Sequence, residues 1–171
     1  MVLETPRLIL RPVLAEDAHP LAKLWSDPEV TRFVGCPRDY ETVVPTVLRE
    51  AAGPCPERTT RWPLLLRDGN DVIGDCGLLE KLIDGRQETE LVYFLQKRFW
   101  GQGLATEAAR MVLQHGLSDL KLSRVVALID PENIASERVA QKIGMTLESE
   151  VVRSGHLKRL YTAATFAIGQ S

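Results

Sequence analysis

The chain has 171 residues, 44% hydrophobic and 26% charged, with a formal net charge of −2. That size fits one soluble globular domain with a sizeable core; no apolar run approaches a membrane span, and Met1-Val-Leu-Glu-Thr-Pro-Arg has neither the basic nor the apolar part of a signal peptide, so the cytosol is the expected location. The charge gives no basic footprint for nucleic acid, and Cys36, Cys55 and Cys76, odd in number and without a CxxC pattern, read as reduced thiols and not as a zinc site.

Thr5 to Pro12 alternates around β-formers and reads as an opening strand. Asp17 is placed to cap a helix that carries Leu21, Leu24 and Trp25 on one face and ends at Asp27-Pro28. A short helical turn over Glu29 to Val34 is broken by Gly35-Cys36-Pro37. The next helix, Asp39 to Ala52, contains Pro45; a cap at Thr42 would put that proline in the first turn, where its missing N–H does no harm. Gly53 to Arg61 is the most loop-like stretch.

Three strands follow: Trp62 to Arg67, Val72 to Leu82 and Glu90 to Leu95, joined by the turns Asp68-Gly69-Asn70-Asp71 and Asp84-Gly85-Arg86-Gln87. The last feeds Arg98-Phe-Trp-Gly101-Gln-Gly103 and then a helix to about Gly116, with Leu104, Ala108, Met111, Val112 and Leu117 on its apolar side. Two glycines between strand and helix either make a plain turn or let backbone approach an anion at the unpaired N–H groups of the helix start. Arg124 to Ile129 is a buried strand reached through a helix, which implies a parallel crossover. Asn133 caps a helix over Ala135 to Ile143, stopped by Gly144, and two strands, Met145 to Arg153 and Leu157 to Ile168, finish the chain. The fold class is mixed α/β (α+β), one domain over residues 1–171 with a central mixed sheet flanked by helices.

Phosphate-binding NTPases lack a match, because no Gly-Lys-Ser/Thr follows the glycines. A dinucleotide fold is excluded too, since an antiparallel meander stands where repeated βαβ units would be needed.

Arg98-x-x-Gly101-x-Gly103, followed after a strand by Asn133-Ile-Ala-Ser136-x5-Lys142-Ile-Gly144-Met145, resembles the two cofactor motifs of the GNAT family of acetyl-CoA-dependent N-acetyltransferases. Trp100-Gly-Gln-Gly-Leu-Ala-Thr-Glu107, Asn133 to Ser136 and the Thr5-Pro-Arg-Leu-Ile-Leu-Arg11 opening are similar to the RimJ/RimL-like branch, which acetylates ribosomal-protein N-termini. The resemblance covers nearly the whole chain. It implies that the strands Glu90 to Leu95 and Val125 to Ile129 are parallel neighbours parted by a bulge in the first. The pantetheine arm of acetyl-CoA then lies in the gap, and its pyrophosphate on backbone N–H groups of Phe99, Trp100, Gly101, Gln102, Gly103, Leu104, Ala105 and Thr106. Arg98 would add charge at the rim or simply face solvent, and Asn133 would cap its helix, bond the cofactor, or both.

Acyl transfer to an amine needs a neutral nucleophile, a stabilised oxyanion and a protonated leaving thiolate. A strand N–H near Phe94 or Leu95 would serve the oxyanion. An α-amine of pKa ~8 is about a tenth neutral at pH 7, against about 0.04% for a lysine-like amine, so an N-terminal acceptor needs only a weak base. Glu90, at the head of the parting strand, is the candidate base or else a strand-end carboxylate; Glu80 and Asp75 stand in reserve. Many members of the family protonate the thiolate with a tyrosine where this chain has Ala140. The acid role then moves to Ser136 or Tyr161. His19, His115 and His156 are scattered, and Cys76 has no adjacent base for an acyl-enzyme route, so direct attack in a ternary complex is expected.

The acceptor is expected to be a protein N-terminus or, in second place, a small-molecule amine such as a polyamine, amino acid or antibiotic. A non-catalytic acyl-CoA-binding module is the third reading, favoured by Ala140. Trp25 to Arg38 and Gly53 to Arg61 would border the acceptor site, as those regions do in the family. The last strand, with Leu160, Ala164 and Phe166 alternating, offers an edge for a homodimer.

Overall fold

The computed structural model describes residues 2–54, 60–69 and 71–164. Eight strands form one sheet: β1 (Leu3–Glu4), β2 (Leu8–Leu10), β3 (Arg61–Leu66), β4 (Val72–Ile83), β5 (Arg86–Leu95), β6 (Arg124–Ile129), β7 (Thr146–Arg153) and β8 (His156–Ala164). Their order is β1-β2-β3-β4-β5-β6-β8-β7. All neighbours are antiparallel except β5 and β6. Helices α1 (Ala18–Ser26), α2 (Pro28–Thr31) and α3 (Tyr40–Ala52) precede β3, α4 (Leu104–Gln114) makes the crossover from β5 to β6, and α5 (Ile134–Lys142) joins β6 to β7.

Each face of the sheet has its own core. On one, Leu104, Ala108, Val112 and Ala140 from α4 and α5 cover Ile73, Cys76, Leu78, Leu91 and Leu95. On the other, Leu21, Leu24 and Trp25 of α1 and Val43 and Val47 of α3 pack on Leu65 and Val72. The alternation of a strand sends even-numbered β5 residues to the second face and odd-numbered ones to the first.

Several local expectations change. The opening segment is two short strands, because the chain turns back at Thr5 to Arg7 and pairs Leu3 with Leu10. Asp17 does not cap α1 with its side chain; its buried carboxylate instead takes two bonds from Arg11, at 2.7 and 2.9 Å, and one from the Leu14 N–H. Helix α3 starts at Tyr40, not after Thr42, so Pro45 lies inside it. The proline sits on the exposed face, where water can satisfy the carbonyl it leaves unpaired. Strand β5 begins four residues early, since Asp84 and Gly85 close a two-residue hairpin with φ of 47° and 80°. The loop around Cys55, part of the first turn (Asn70) and the end of the last strand, with Phe166, lie outside the described residues.

Strand β8 runs between β6 and β7, paired on both sides. Leu160, paired with Leu128 on one side and Ser149 on the other, therefore has no open edge for a second copy of the chain, whereas Ala164 is paired only with Arg124 on β6, beyond the last β7 pair at Thr162; over the rest of its length β7 takes the edge.

Candidate functional site

Strands β5 and β6 pair in parallel at Glu90 and Val126 and part beyond them. No bulge in β5 causes this: its register against β4 is unbroken from Ile83↔Arg86 to Gly74↔Leu95, and β6 holds an equally unbroken register to β8. Each strand thus stays with its antiparallel partner, and the two antiparallel blocks separate along the weaker parallel seam. The unbroken register also decides which strand N–H groups face the gap. The Gln96 N–H bonds to the Ile73 carbonyl on β4, so alternation turns the backbone of Phe94 toward β4 and that of Tyr93 and Leu95 into the gap. The Leu95 carbonyl there accepts from the Trp100 indole N–H at 2.7 Å.

The gap opens into a cleft of about 430 Å³. Residues from Glu90 to Leu95 form one wall and Ala127 to Asp130 the other, with Val30, Phe33 and Val34 bordering it from the α2 side. Lys97 and Glu29 form an ion pair at 2.5 Å that ties α2 to the turn after β5.

At the mouth, Gly101 and Gly103 have φ of 73° and 78°, a region closed to most side chains, and a Cβ on Gly101 would meet no atom within 4 Å. Gly103 is the N-cap of α4, and the first N–H bonded back into the helix is that of Glu107, to the Gly103 carbonyl. The N–H groups of Leu104, Ala105 and Thr106 are left for an anion at the positive end of the helix. Phe99, Trp100, Gly101, Gly103, Leu104, Ala105 and Thr106 line the cleft, while Arg98 and Gln102 are not among its lining. Arg98 stacks on the Phe99 ring at 4.8 Å and its carbonyl accepts from the Gln102 amide, so these two brace the turn. A phosphate-bearing cofactor fits this arrangement: positive φ, open space at Gly101 and unpaired helix N–H groups coincide at one end of an unpaired strand edge.

Two contributions here were not read from sequence. Arg7, 100 positions away, donates to Glu107 at 2.7 Å and to the Gln102 carbonyl at 3.1 Å, clamping the glycine turn to the start of α4. Thr5 bonds the same Glu107 carboxylate at 2.5 Å. Arg138 and Lys142, one turn apart on α5, bring cationic charge to the cleft lining.

Glu90 stands where the strands begin to part, 9% exposed. Burial holds its carboxyl above the ordinary glutamate range, opposed by Lys81 at 3.9 Å and by the Leu128 N–H. Asn133 caps α5 by accepting from the Ser136 N–H at 3.1 Å, and both residues line the cleft. Tyr93, unremarked in the sequence, crosses from β5 to donate its hydroxyl hydrogen to the Ser136 carbonyl at 3.0 Å. Tyr161 is not brought to the site: it pairs with Ala127 inside the sheet and its hydroxyl is bonded to Glu137. Glu80 is exposed and outside the cleft, and the buried Cys76 thiol has its pKa pushed well up by desolvation.

A second cavity, about 890 Å³, lies on the α1–α3 face. Edges of both segments expected to border the acceptor line it, with Trp25, Arg38, Thr60 and Arg61 prominent, and its floor includes Asp75 and Leu79 of β4. Leu79 faces Glu90 directly across the β4–β5 ladder, on the same face of the sheet. Phe94, which borders the cleft, packs on Trp25, which borders the cavity, with ring centroids 4.4 Å apart.

A mixed sheet parted at its parallel seam, with a glycine turn and a helix start at the mouth of the gap, defines an acyl-CoA-dependent N-acyltransferase. The sequence profile described as "Acetyltransferase (GNAT) domain" matches residues 7–146. Among relatives, the "Uncharacterized N-acetyltransferase p20" of Bacillus licheniformis is 31% identical over 155 residues, covering 85% of this chain and 83% of its own. The "Uncharacterized N-acetyltransferase YoaA" of Bacillus subtilis is 33% identical over 149 residues, covering 86% and 84%. A GNAT-family acetyltransferase structure from Bacillus anthracis superimposes with a TM-score of 0.80 over 96% of this chain and 98% of its own, at 23% identity. The chain belongs to the GNAT acetyltransferase family.

Proposed function

We propose that the chain transfers the acetyl group of acetyl-CoA to a protein N-terminal α-amine by direct attack in a ternary complex, the activity implied by its resemblance to the ribosomal-protein branch. The observation that carries this reading is the position of Glu90. It stands at the parting of β5 and β6, with the cleft on one side and the α1–α3 cavity beginning at its cross-strand neighbour Leu79 on the other.

The residues divide the work as follows. The helix-start N–H groups and glycine turn bind the pyrophosphate, while bound acetyl-CoA supplies the activated thioester. The N–H groups of Tyr93 and Leu95 face the gap and donate to the carbonyl oxygen as charge develops on it. Glu90, ionised, takes the proton of the attacking amine directly or through a water. The Tyr93 hydroxyl, with Ser136 beside it, returns a proton to the leaving sulfur and fills the role that Ala140 cannot. No histidine lines the cleft among the described residues, which suits an α-amine whose neutral form is already populated near pH 7.

A small-molecule amine is the second reading, favoured by a cavity volume within the range of small-molecule sites. Incubation with acetyl-CoA and panels of unblocked peptides and small amines, followed by thiol release and mass spectrometry, separates these readings. Acetylation at peptide N termini supports the proposal. Acetylation confined to small amines replaces it with the second reading, and CoA binding without thiol release from any acceptor would make the protein a non-catalytic module.

A further inference from the structure

The α1–α3 cavity contains a charge arrangement that its own residues leave incomplete. Asp75 is 3% exposed; its Oδ2 accepts from the Trp25 indole at 2.9 Å and lies 3.3 Å from Arg61 Nη1, while its buried Oδ1 has no hydrogen-bond partner among the described residues. The guanidiniums of Arg38 and Arg61 both stand over the Trp25 ring, 4.2 and 4.3 Å from its centroid. Arg61 has Asp75 as its ion-pair partner. Among the described residues Arg38 has no carboxylate at ion-pair distance, although Glu50 lines the same cavity.

Two like charges over one ring, with Asp75 beside them and Glu50 in the same cavity but beyond ion-pair distance, leave guanidinium donors of Arg38 without an acceptor at bonding distance among the described residues. An occupant must supply an anionic acceptor to them and a donor to Asp75 Oδ1 to satisfy both. A carboxylate beside a backbone N–H has that composition.

We propose that this cavity seats a carboxylate of the acceptor against Arg38 and Arg61, with Asp75 Oδ1 accepting from an adjacent N–H, so that the enzyme selects acceptors with an acidic group remote from the amine. The inference rests on the entry of the amine at Glu90. Four residues of β4 separate Asp75 from Leu79, roughly 13 Å of strand. An extended peptide advances about 3.3–3.6 Å per residue, which places an acidic side chain at the fourth or fifth position of an N terminus over the arginines when its amine is at Glu90. Free aspartate or glutamate is too short to span that distance.

The test uses short unblocked peptides that differ only in Glu or Gln at these positions, together with an unbranched ω-amino carboxylate of the same reach and its amide. Turnover with acetyl-CoA and calorimetric binding in the presence of CoA are measured for the wild type, Arg38→Gln and Arg38→Lys, with CoA affinity as the control for folding. The expected result is a preference of about tenfold or more for the Glu peptide in kcat/KM or in affinity, falling to about twofold or less in Arg38→Gln and partly restored in Arg38→Lys. A preference confined to the ω-amino carboxylate pair would keep the carboxylate site but overturn the peptide as its source. Equal handling of the acidic and amidated members of both pairs, or a preference that survives Arg38→Gln, overturns the inference. If acidic and neutral peptides are acetylated alike, the acetyl-transfer reading stands while the carboxylate site falls; binding still decides the site if no acceptor turns over.

Discussion

Tyr93 of β5 donates its hydroxyl hydrogen to the backbone carbonyl of Ser136 on α5, 3.0 Å away, across the mouth of the gap between β5 and β6. The contact brings a phenol to the wall from which the family's usual tyrosine is missing, because Ala140 on the same helix is fully buried in the core. Burial raises the phenol pKa, which keeps it protonated at neutral pH but makes it a weaker acid, and its one hydrogen must leave the Ser136 carbonyl to reach the sulfur. Tyr93→Phe is expected to lower kcat about 100-fold, in the range of general acid catalysis, while CoA affinity changes by no more than about twofold. Ser136→Ala is expected to lower turnover more than affinity, but by less than Tyr93→Phe. Steady-state kinetics with calorimetry on the two variants checks both; a Tyr93→Phe enzyme with wild-type kcat would remove the phenol from the mechanism.

Glu90 gives the reaction its pH dependence. A base must be ionised to act, and desolvation holds this carboxyl above its ordinary value, so kcat/KM should rise with pH along a limb whose midpoint lies above the usual glutamate range. Glu90→Gln should remove that limb and lower the plateau about 100-fold. A profile that keeps the limb in Glu90→Gln would assign it to another group.

Arg7 tests whether the glycine turn must be held. Its guanidinium is half exposed, so solvent screens its ion pair with Glu107 and the direct contribution to folding is small. Its second contact, to the Gln102 carbonyl, fixes the turn that presents N–H groups to phosphate. Arg7→Ala is expected to weaken CoA binding about fivefold with little change in melting temperature. A loss of stability without a loss of affinity would make the clamp purely structural.

Much of this site was legible in the sequence because it is local. Gly101, Gly103 and Asn133 act within a few residues of themselves, through positive φ and through a cap on the Ser136 N–H. Glu90 reads from sequence as the head of an apolar strand but stands inside β5, which starts at Arg86; its single parallel pair with Val126 puts it at the parting, and no local signal announces that. The rest depends on register and on distant chain. Arg7 meets Glu107 through a pairing that needs the whole sheet, and Tyr93 meets Ser136 only once the crossover is complete. The association of Trp25, Arg38, Arg61 and Asp75 draws on α1, the segment before α3, β3 and β4, and no short spacing announces it. Tyr161 was misplaced by the same limitation, since only the two-sided pairing of β8 commits its hydroxyl to Glu137.

The central claim is that acetyl-CoA lies in the gap between β5 and β6 with its pyrophosphate on the turn through Gly101 and Gly103. Calorimetric titration of CoA into the wild type and Gly103→Trp tests it directly, because a side chain at φ 78° strains the turn and starts 3.7 Å from the Arg7 guanidinium that clamps it, at a residue that lines the cleft. The expected result is one CoA per chain for the wild type and an affinity at least about tenfold weaker for the variant. Equal affinity in a folded Gly103→Trp protein would contradict the placement of the cofactor.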